Sequence, residues 1–194
     1  MSYLIKTIQP TSEPVTLAEA QLHLRLDTDG SPPSHPDDAL VQTLISAARE
    51  NAEQYTSTTI AQATYMLKST VTDGEINLQT YPVTSIASVT YEDAAGDVQT
   101  VSADQYSIDN FNRPARLVFD SDAISSEMTV TFTAGATDND DPNPFPCPAG
   151  VKAAILLMVG NWYENRETVS NNESFERPQS AIYLLTPHRI NMGA

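Results

Sequence analysis

Residues 151–167 have the sequence VKAAILLMVGNWYENRE, and residues 180–190 have the sequence SAIYLLTPHRI. The first segment predicts a helix with one continuous apolar stripe, formed by Val151, Ile155, Met158 and Trp162, and with more apolar residues beside it. One neighbouring helix could not cover so wide an apolar surface. The second segment is a short apolar hook that ends at Pro187 and follows a polar stretch. Together they predict a helical bundle with apolar surface left over for other subunits or proteins.

Two more helices are predicted near the N-terminus. Thr16 and Glu19 have the spacing of a capping box, in which each side chain accepts a hydrogen bond from the other residue's backbone N–H. The helix after this box carries Leu17, Ala20, Leu22, Leu24 and Leu26. Asp37 or Asp38 is expected to cap the next helix, whose apolar residues recur at helical spacing. Its opposite face is polar and carries Gln42, Arg49, Glu50 and Glu53.

From about residue 63 the apolar residues alternate with a period of two, which is typical of strands. Strands are predicted at 64–71, 75–79, 83–91, 98–102, 105–109, 115–119 and 128–134, with turn residues such as Gly96 between them. No helix separates these strands. The segment is therefore expected to form an antiparallel sheet, a sandwich or a small barrel.

These elements predict an α+β fold. A small α-helical bundle, with three main helices plus a short C-terminal helix, is formed by residues 1–62 and 149–194. An antiparallel β domain resembling a sandwich or barrel is inserted at residues 63–135, and a Pro-rich acidic linker follows at 136–148. The helices should meet in space, because none can bury its apolar face alone.

Composition excludes several classes of protein. The formal net charge is −15, and no two basic residues are adjacent, which argues against a duplex-binding surface. The single cysteine, Cys147, allows no disulfide within the chain. No signal peptide or membrane-spanning segment is predicted, so we expect synthesis and assembly in a reducing cytoplasm and no membrane partner.

No catalytic motif is found in the sequence. His23, His35 and His188 lie on different elements, and no nucleophile-elbow, dinucleotide or P-loop motif occurs. A hard cation could be bound near Asp27 and Asp29, or by the acidic residues 138–141, but solvated loops are the favoured interpretation of both. We therefore expect no enzyme activity, no cofactor, no metal site and no catalytic residues.

The adjacent aromatic residues Trp162 and Tyr163 indicate an interface. Consecutive helical positions point about 100° apart, so only one of the two can face the bundle core. The other is either incidentally exposed or placed in a subunit contact, where aromatic residues and arginines such as Arg166 are enriched.

An alternative reading makes the chain a binding module. The inserted β domain would then recognise a protein or carbohydrate from the end of a helical stalk. Its candidate contact residues are the aromatic side chains Tyr81, Tyr91, Tyr106 and Phe111, although β-sheets use such residues anyway.

The order of several motifs resembles that of tailed-phage head–tail connector (adaptor) proteins, including the subgroup with a β-rich insertion. The motifs lie on helix faces and strand ends throughout the chain, namely PVTLAEA at 14–20, LHLRL at 22–26, DD at 37–38, LISAARE at 44–50, YPV at 81–83, SI at 85–86, VTFTAG at 130–135, VKAAILL at 151–157, NWYENRE at 161–167 and LLTPHR at 184–189. Each motif alone is weakly specific, and their order and spacing carry the resemblance. The long acidic linker at 136–148 departs from the family pattern.

The resemblance implies a structural virion protein at the head–tail interface. Such proteins form a ring, typically of twelve subunits, beneath the portal, and join the DNA-filled head to the neck and tail while extending the DNA channel. The implied partners are the portal protein, a neck or tail-completion protein and further copies of the chain, with DNA passing through without sequence-specific binding. The residues implied to contact subunits or the portal are Trp162, Tyr163, Arg166, Glu167, Ile182, Leu184, Leu185 and Arg189.

Overall fold

The computed structural model describes residues 2–30, 34–120, 127–135, 146–165 and 178–190. These ranges contain four α-helices and eight strands in the order β1 (Tyr3–Ile8), α1 (Leu17–Leu24), α2 (Asp38–Thr56), β2 (Ala63–Thr70), β3 (Glu75–Asn77), β4 (Val83–Glu92), β5 (Val98–Thr100), β6 (Tyr106–Asp109), β7 (Arg116–Phe119), β8 (Glu127–Ala134), α3 (Ala149–Glu164) and α4 (Gln179–Leu185). The predicted α+β class, with a helical bundle and a β insertion, is confirmed.

The strands form two antiparallel sheets. One has the order β1-β2-β8-β4-β5 and the other the order β3-β7-β6. Alternate residues of β8, including Val130 and Phe132, are fully buried. They share one apolar core with residues of the smaller sheet such as Leu117, and the ring of Tyr65 stacks on Phe132 with centroids 5.7 Å apart. Burying each large apolar side chain contributes about 1.5–3 kcal/mol, so this core is the main stabilising element of the sheets.

The first strand was not predicted. β1 pairs with β2 from Tyr3 opposite Lys68 to Ile8 opposite Thr64, so assigning all of residues 1–62 to the helical domain is wrong for this segment. Among the apolar residues of β1, only Leu4 packs against the core. The alternation of buried and exposed residues that marks a strand is therefore weak in this segment. The chain divides into a β unit (Met1–Ser12, Ser57–Pro146 and Ile190–Ala194) and a helical unit (Glu13–Thr56 and Cys147–Arg189). Residues 136–145 of the predicted linker lie outside the described residues.

The helical unit begins with the predicted capping box. The hydroxyl of Thr16 accepts from the N–H of Glu19 (3.2 Å), and the carboxylate of Glu19 accepts from the N–H of Thr16 (2.7 Å). Arg25 caps the C-terminus of α1 in a left-handed conformation, with a φ of +56°. One expected apolar position of α1 differs, because Leu22 is exposed while Gln21 is buried and donates to the carboxylate of Asp38 (2.6 Å).

α3 is the central helix of its unit. It contacts α1, α2 and α4, and it buries Val151, Ala154, Ile155, Met158 and Val159. None of its large apolar side chains is fully exposed. As expected, α3 is covered by more than one helix, and all three of these helices belong to the same subunit. Leu156, Leu157, Trp162 and Tyr163 of α3 are half-buried and keep only part of their surface accessible.

Candidate assembly interface

The aromatic pair at the end of α3 is half-buried. Trp162 and Tyr163 both have intermediate exposure, so neither is fully in the core and neither is free on the surface. The hydroxyl of Tyr163 donates to the carboxylate of Asp37 at 2.6 Å, which ties the end of α3 to the residue before α2. Arg166 and Glu167, which follow the pair, lie outside the described residues. Tyr163 thus has a demonstrable role within its own helical unit.

The apolar hook packs against its own subunit. Ala181 and Leu185 are four residues apart on α4 and are fully buried, and α4 contacts α3. Ile182 and Leu184 are half-buried. Leu185 can therefore contact another protein only if α4 leaves α3, whereas Ile182 and Leu184 keep part of their surface accessible.

The residues after α4 are held by Tyr55 near the end of α2. The hydroxyls of Tyr55 and Thr186 lie 3.1 Å apart, within hydrogen-bond distance. The guanidinium of Arg189 lies 5.4 Å from the centroid of the Tyr55 ring, which is a cation–π distance. Arg189 itself is exposed. Its aromatic contact positions the cation on an exposed part of the helical unit.

Two exposed apolar residues of the helical unit were not among the predicted contacts. Tyr183 on α4 is 74% exposed and Leu22 on α1 is 79% exposed. The position of Tyr183 follows from helical geometry, because burial of Ala181 and Leu185 turns the residue between them outward. A helical-wheel analysis of the hook alone could have identified it.

A buried ion cluster holds the middle of α2. Arg49 is only 3% exposed, and its guanidinium contacts the carboxylates of Glu13 (2.8 Å), Glu53 (3.0 Å) and Glu50 (3.6 Å). Burial alone would lower the pKa of Arg49, but the hydrogen bond that its guanidinium donates to Glu13 and the three negative charges outweigh it and raise the pKa. The prediction that Arg49 lies on a solvent-facing side of α2 is wrong, because Arg49 is buried and pairs with Glu13 from the segment before α1.

The aromatic residues proposed for a binding platform do not share an exposed surface. Tyr81, Tyr91 and Tyr106 pack against the core of the β unit. Phe111 alone of the four is fully exposed, in a loop where the carboxylate of Asp109 accepts from its N–H (2.8 Å). The binding-module alternative therefore loses the aromatic sheet face that motivated it.

The three histidines lie at separate places in the helical unit. A Cβ on Gly160 of α3 would lie 3.3 Å from Nε2 of His23, and one on Gly150 would lie 3.6 Å from Nε2 of His188, so each ring lies close to a glycine of α3. The Nδ1 of His35 accepts from the N–H of Asp37 (3.0 Å).

Within the residues that the structure describes, no group of three His, Cys, Asp or Glu residues could hold a metal ion. The acidic residues 138–141 lie outside them. Among the described helices, none combines the length and apolar character needed to cross a membrane.

Comparison with solved structures finds this fold along nearly the whole chain. A chain from the neck of an empty gene transfer agent (GTA) particle, computed with C6 symmetry, is 20% identical and has a TM-score of 0.77, with 99% of this chain and 97% of that chain covered. A chain from the virion of a native GTA particle is 20% identical with a TM-score of 0.72, covering 98% and 97%. A chain from the neck of a native particle, computed with C12 symmetry, is 18% identical with a TM-score of 0.69, covering 100% and 97%. These likenesses establish the fold.

Sequence comparison gives the family. No curated protein matches the chain significantly. The profile of a family described as "Phage gp6-like head-tail connector protein" matches residues 14–114, which is more than half of the chain and spans α1, α2 and the strands from β2 to β6. The chain therefore belongs to the phage gp6-like head-tail connector family, which is a structural family and not an enzyme family.

Proposed function

We propose that the chain forms a ring beneath the portal of a DNA-filled head, joins that head to the neck and tail, and extends the DNA channel. In this ring each copy contacts its neighbours, the portal protein on one side and a neck or tail-completion protein on the other. The observation that carries the proposal is family membership, which assigns the chain to head–tail connectors. Likeness over the full chain to proteins from particle necks supports the same position in the virion.

A ring of twelve copies fits the symmetry of the similar structures. Two of the similar chains come from necks computed with C6 and C12 symmetry, and twelve identical copies in a closed ring satisfy both. A ring also needs unlike surfaces on the two sides of each subunit, because each copy contacts a neighbour on either side through different residues.

The charge of the chain suits a channel through which DNA moves. A formal charge of −15 per copy gives a twelve-membered ring a strongly negative field. Carboxylates repel DNA phosphates and release no counterions on contact, so they provide no affinity for the duplex. DNA therefore passes without sequence-specific binding.

The C-terminal segment is the proposed contact with the portal. Arg189 and Tyr183 are exposed, and Ile182 and Leu184 keep part of their surface accessible. The helical unit that presents these exposed residues is shaped in part by Leu185, Trp162 and Tyr163. Two further proposed contacts, Arg166 and Glu167, rest on the sequence. Tyrosine and arginine are among the residue types that dominate protein interfaces.

The test is binding to purified DNA-filled heads that carry a portal but lack a connector. Sedimentation with quantified protein should show saturation at about one ring of copies per head. Tyr183→Ser and Arg189→Ser should each weaken binding at least tenfold, because they remove exposed anchors without opening the core. Gln179→Ser, at another exposed position of α4, is the matched control and should bind normally. A folded protein that ignores such heads would contradict the proposed function.

A further inference from the structure

The larger sheet of the β unit has two open edges. β1 and β5 are its outer strands, and among the described residues each pairs with another strand along one side only. β1 has the sequence YLIKTI, with six residues, no proline and a high content of β-branched and aromatic side chains. Natural proteins usually blunt such an edge or cover it, because its backbone N–H and C=O groups can pair with any further strand.

Both edges present side chains to the same face of the sheet. The registers place Tyr3 opposite Lys68, Lys68 opposite Thr129, Thr129 opposite Thr90, and Thr90 opposite Thr100. Directly opposite residues point to one face, and residues two apart on a strand share a face. Ile5 and Val98 therefore lie on the same face as Tyr3 and Thr100.

The exposed apolar side chains of this face are concentrated at its two edges. Tyr3 is 67% exposed, and Ile5 and its partner Met66 are 41% and 39% exposed, at the β1 edge. Val98 is 68% exposed at the β5 edge. The middle of the face is polar, with threonines and the ion pair between Lys68 and Glu127 (2.9 Å). Apolar residues at opposite edges cannot cover one another within a single copy.

We propose that the β5 edge of one copy docks beside the β1 edge of the next, so that the sheet continues from subunit to subunit around the ring. This inference rests on the proposed ring, which needs two unlike surfaces on each copy. Four antiparallel steps separate β1 from β5, so the two strands run in the same direction, and the joint between copies pairs them in parallel. The joint brings Val98 of one copy beside Tyr3 and Ile5 of the next, which buries the exposed apolar side chains of both edges.

Cysteine cross-linking in assembled rings tests this joint. In a Cys147→Ser background, Tyr3→Cys or Ile5→Cys is combined with Val98→Cys or Thr100→Cys, because the register between copies sets which pair meets. Mild oxidation of heads carrying the ring should give a ladder of cross-linked chains for at least one combination. The control combines Leu4→Cys, which packs toward the core, with Val98→Cys. It should give at least tenfold less cross-linked product, since its thiols lie on opposite faces.

The possible results separate this inference from the proposed function. Rings that saturate the heads but cross-link no better than the control would overturn the sheet joint and leave the ring intact. Dimers formed by Tyr3→Cys or Ile5→Cys alone would show two-fold pairing of β1 with β1 and would also overturn it. If the Cys147→Ser protein never assembles on heads, both the sheet joint and the proposed ring are overturned.

Discussion

The helical unit and the β unit bury polar groups in different ways. The helical unit buries the charged guanidinium of Arg49 among carboxylates, of which Glu53 is itself mostly buried. The β unit, in its described part, buries neutral hydroxyls. The hydroxyl oxygen of Thr59 lies 2.7 Å from that of Thr80 and 3.1 Å from that of Tyr65. A buried charge requires its close, buried partners to remain, whereas neutral hydroxyls tolerate change more readily. The helical unit should therefore depend on electrostatics, and the β unit on steric fit.

The largest expected effect is the loss of the buried cation. Arg49→Met should destabilise the protein by about 3–5 kcal/mol, because it leaves the carboxylates of Glu13 and Glu53 without their counter-charge. Urea unfolding followed by the fluorescence of Trp162, the single tryptophan, would measure this change in the helical unit.

Two variants sharpen the test of the ion cluster. Arg49→Lys keeps the charge but not the paired guanidinium geometry, so its loss should be intermediate. Glu50→Gln should cost less than about 0.5 kcal/mol, because the Glu50 side chain is 62% exposed and lies 3.6 Å from the guanidinium. Equal stability of Arg49→Met and the wild type would refute the electrostatic account of the helical unit.

In the β unit, the largest effect should come from a steric clash. Gly135 has a φ of +109°, and a Cβ there would lie 2.5 Å from the carbonyl oxygen of Ala61. Gly135→Ala should cost about 2–3 kcal/mol from backbone strain and displaced neighbours. Gly96→Ala is the control, since its φ is +86° but nothing lies within 4 Å of the added Cβ, and it should cost only about 1 kcal/mol. Thermal unfolding followed by circular dichroism measures both, and equal losses would exclude the clash.

Elements with a strong local pattern could be predicted from the sequence. The strand expected at 83–91 is Val83–Glu92, and the strand expected at 128–134 is Glu127–Ala134. The capping box at Thr16 and the four helices are also confirmed. In each case the information is contained in residues a few positions apart, either as a repeat of apolar side chains or as a capping pair.

Features that depend on distant residues could not be predicted. Glu13 is 36 residues from Arg49, so a pattern confined to α2 assigns that arginine to the solvent. β1 is recognised as a strand through its pairing with β2, some sixty residues later. In the candidate interface, the hook was found as an apolar segment, but the burial of Leu185 and the exposure of Tyr183 depend on how α4 packs against α3.

A smaller effect tests whether Tyr163 acts within the subunit. Tyr163→Phe removes the hydroxyl that donates to the carboxylate of Asp37 and should cost about 1–2 kcal/mol in urea unfolding. Tyr183→Phe, on the exposed face of α4, is the matched control and should leave stability unchanged. If Tyr163→Phe is as stable as the wild type but binds heads weakly, the hydroxyl acts in a contact between proteins and not inside the helical unit.

The smallest effect is a pH-dependent one at the start of α1. The backbone N–H of Thr16 donates to Glu19, and this bond is the main reason that the pKa of Glu19 lies below its ordinary value of 4.5. Burial opposes the shift, while the Thr16 hydroxyl and the charge of Lys152 add to it. A carboxyl whose pKa is lower in the folded state contributes stability above its unfolded-state pKa and loses it as the pH falls through the folded-state value. Glu19→Gln should therefore cost about 0.5–1 kcal/mol at pH 7. The difference from the wild type in urea unfolding should shrink as the pH falls below 4.5. A difference that stays constant on acidification would mean that the cap works through shape alone, and the dependence of the helical unit on charge would then be confined to Arg49.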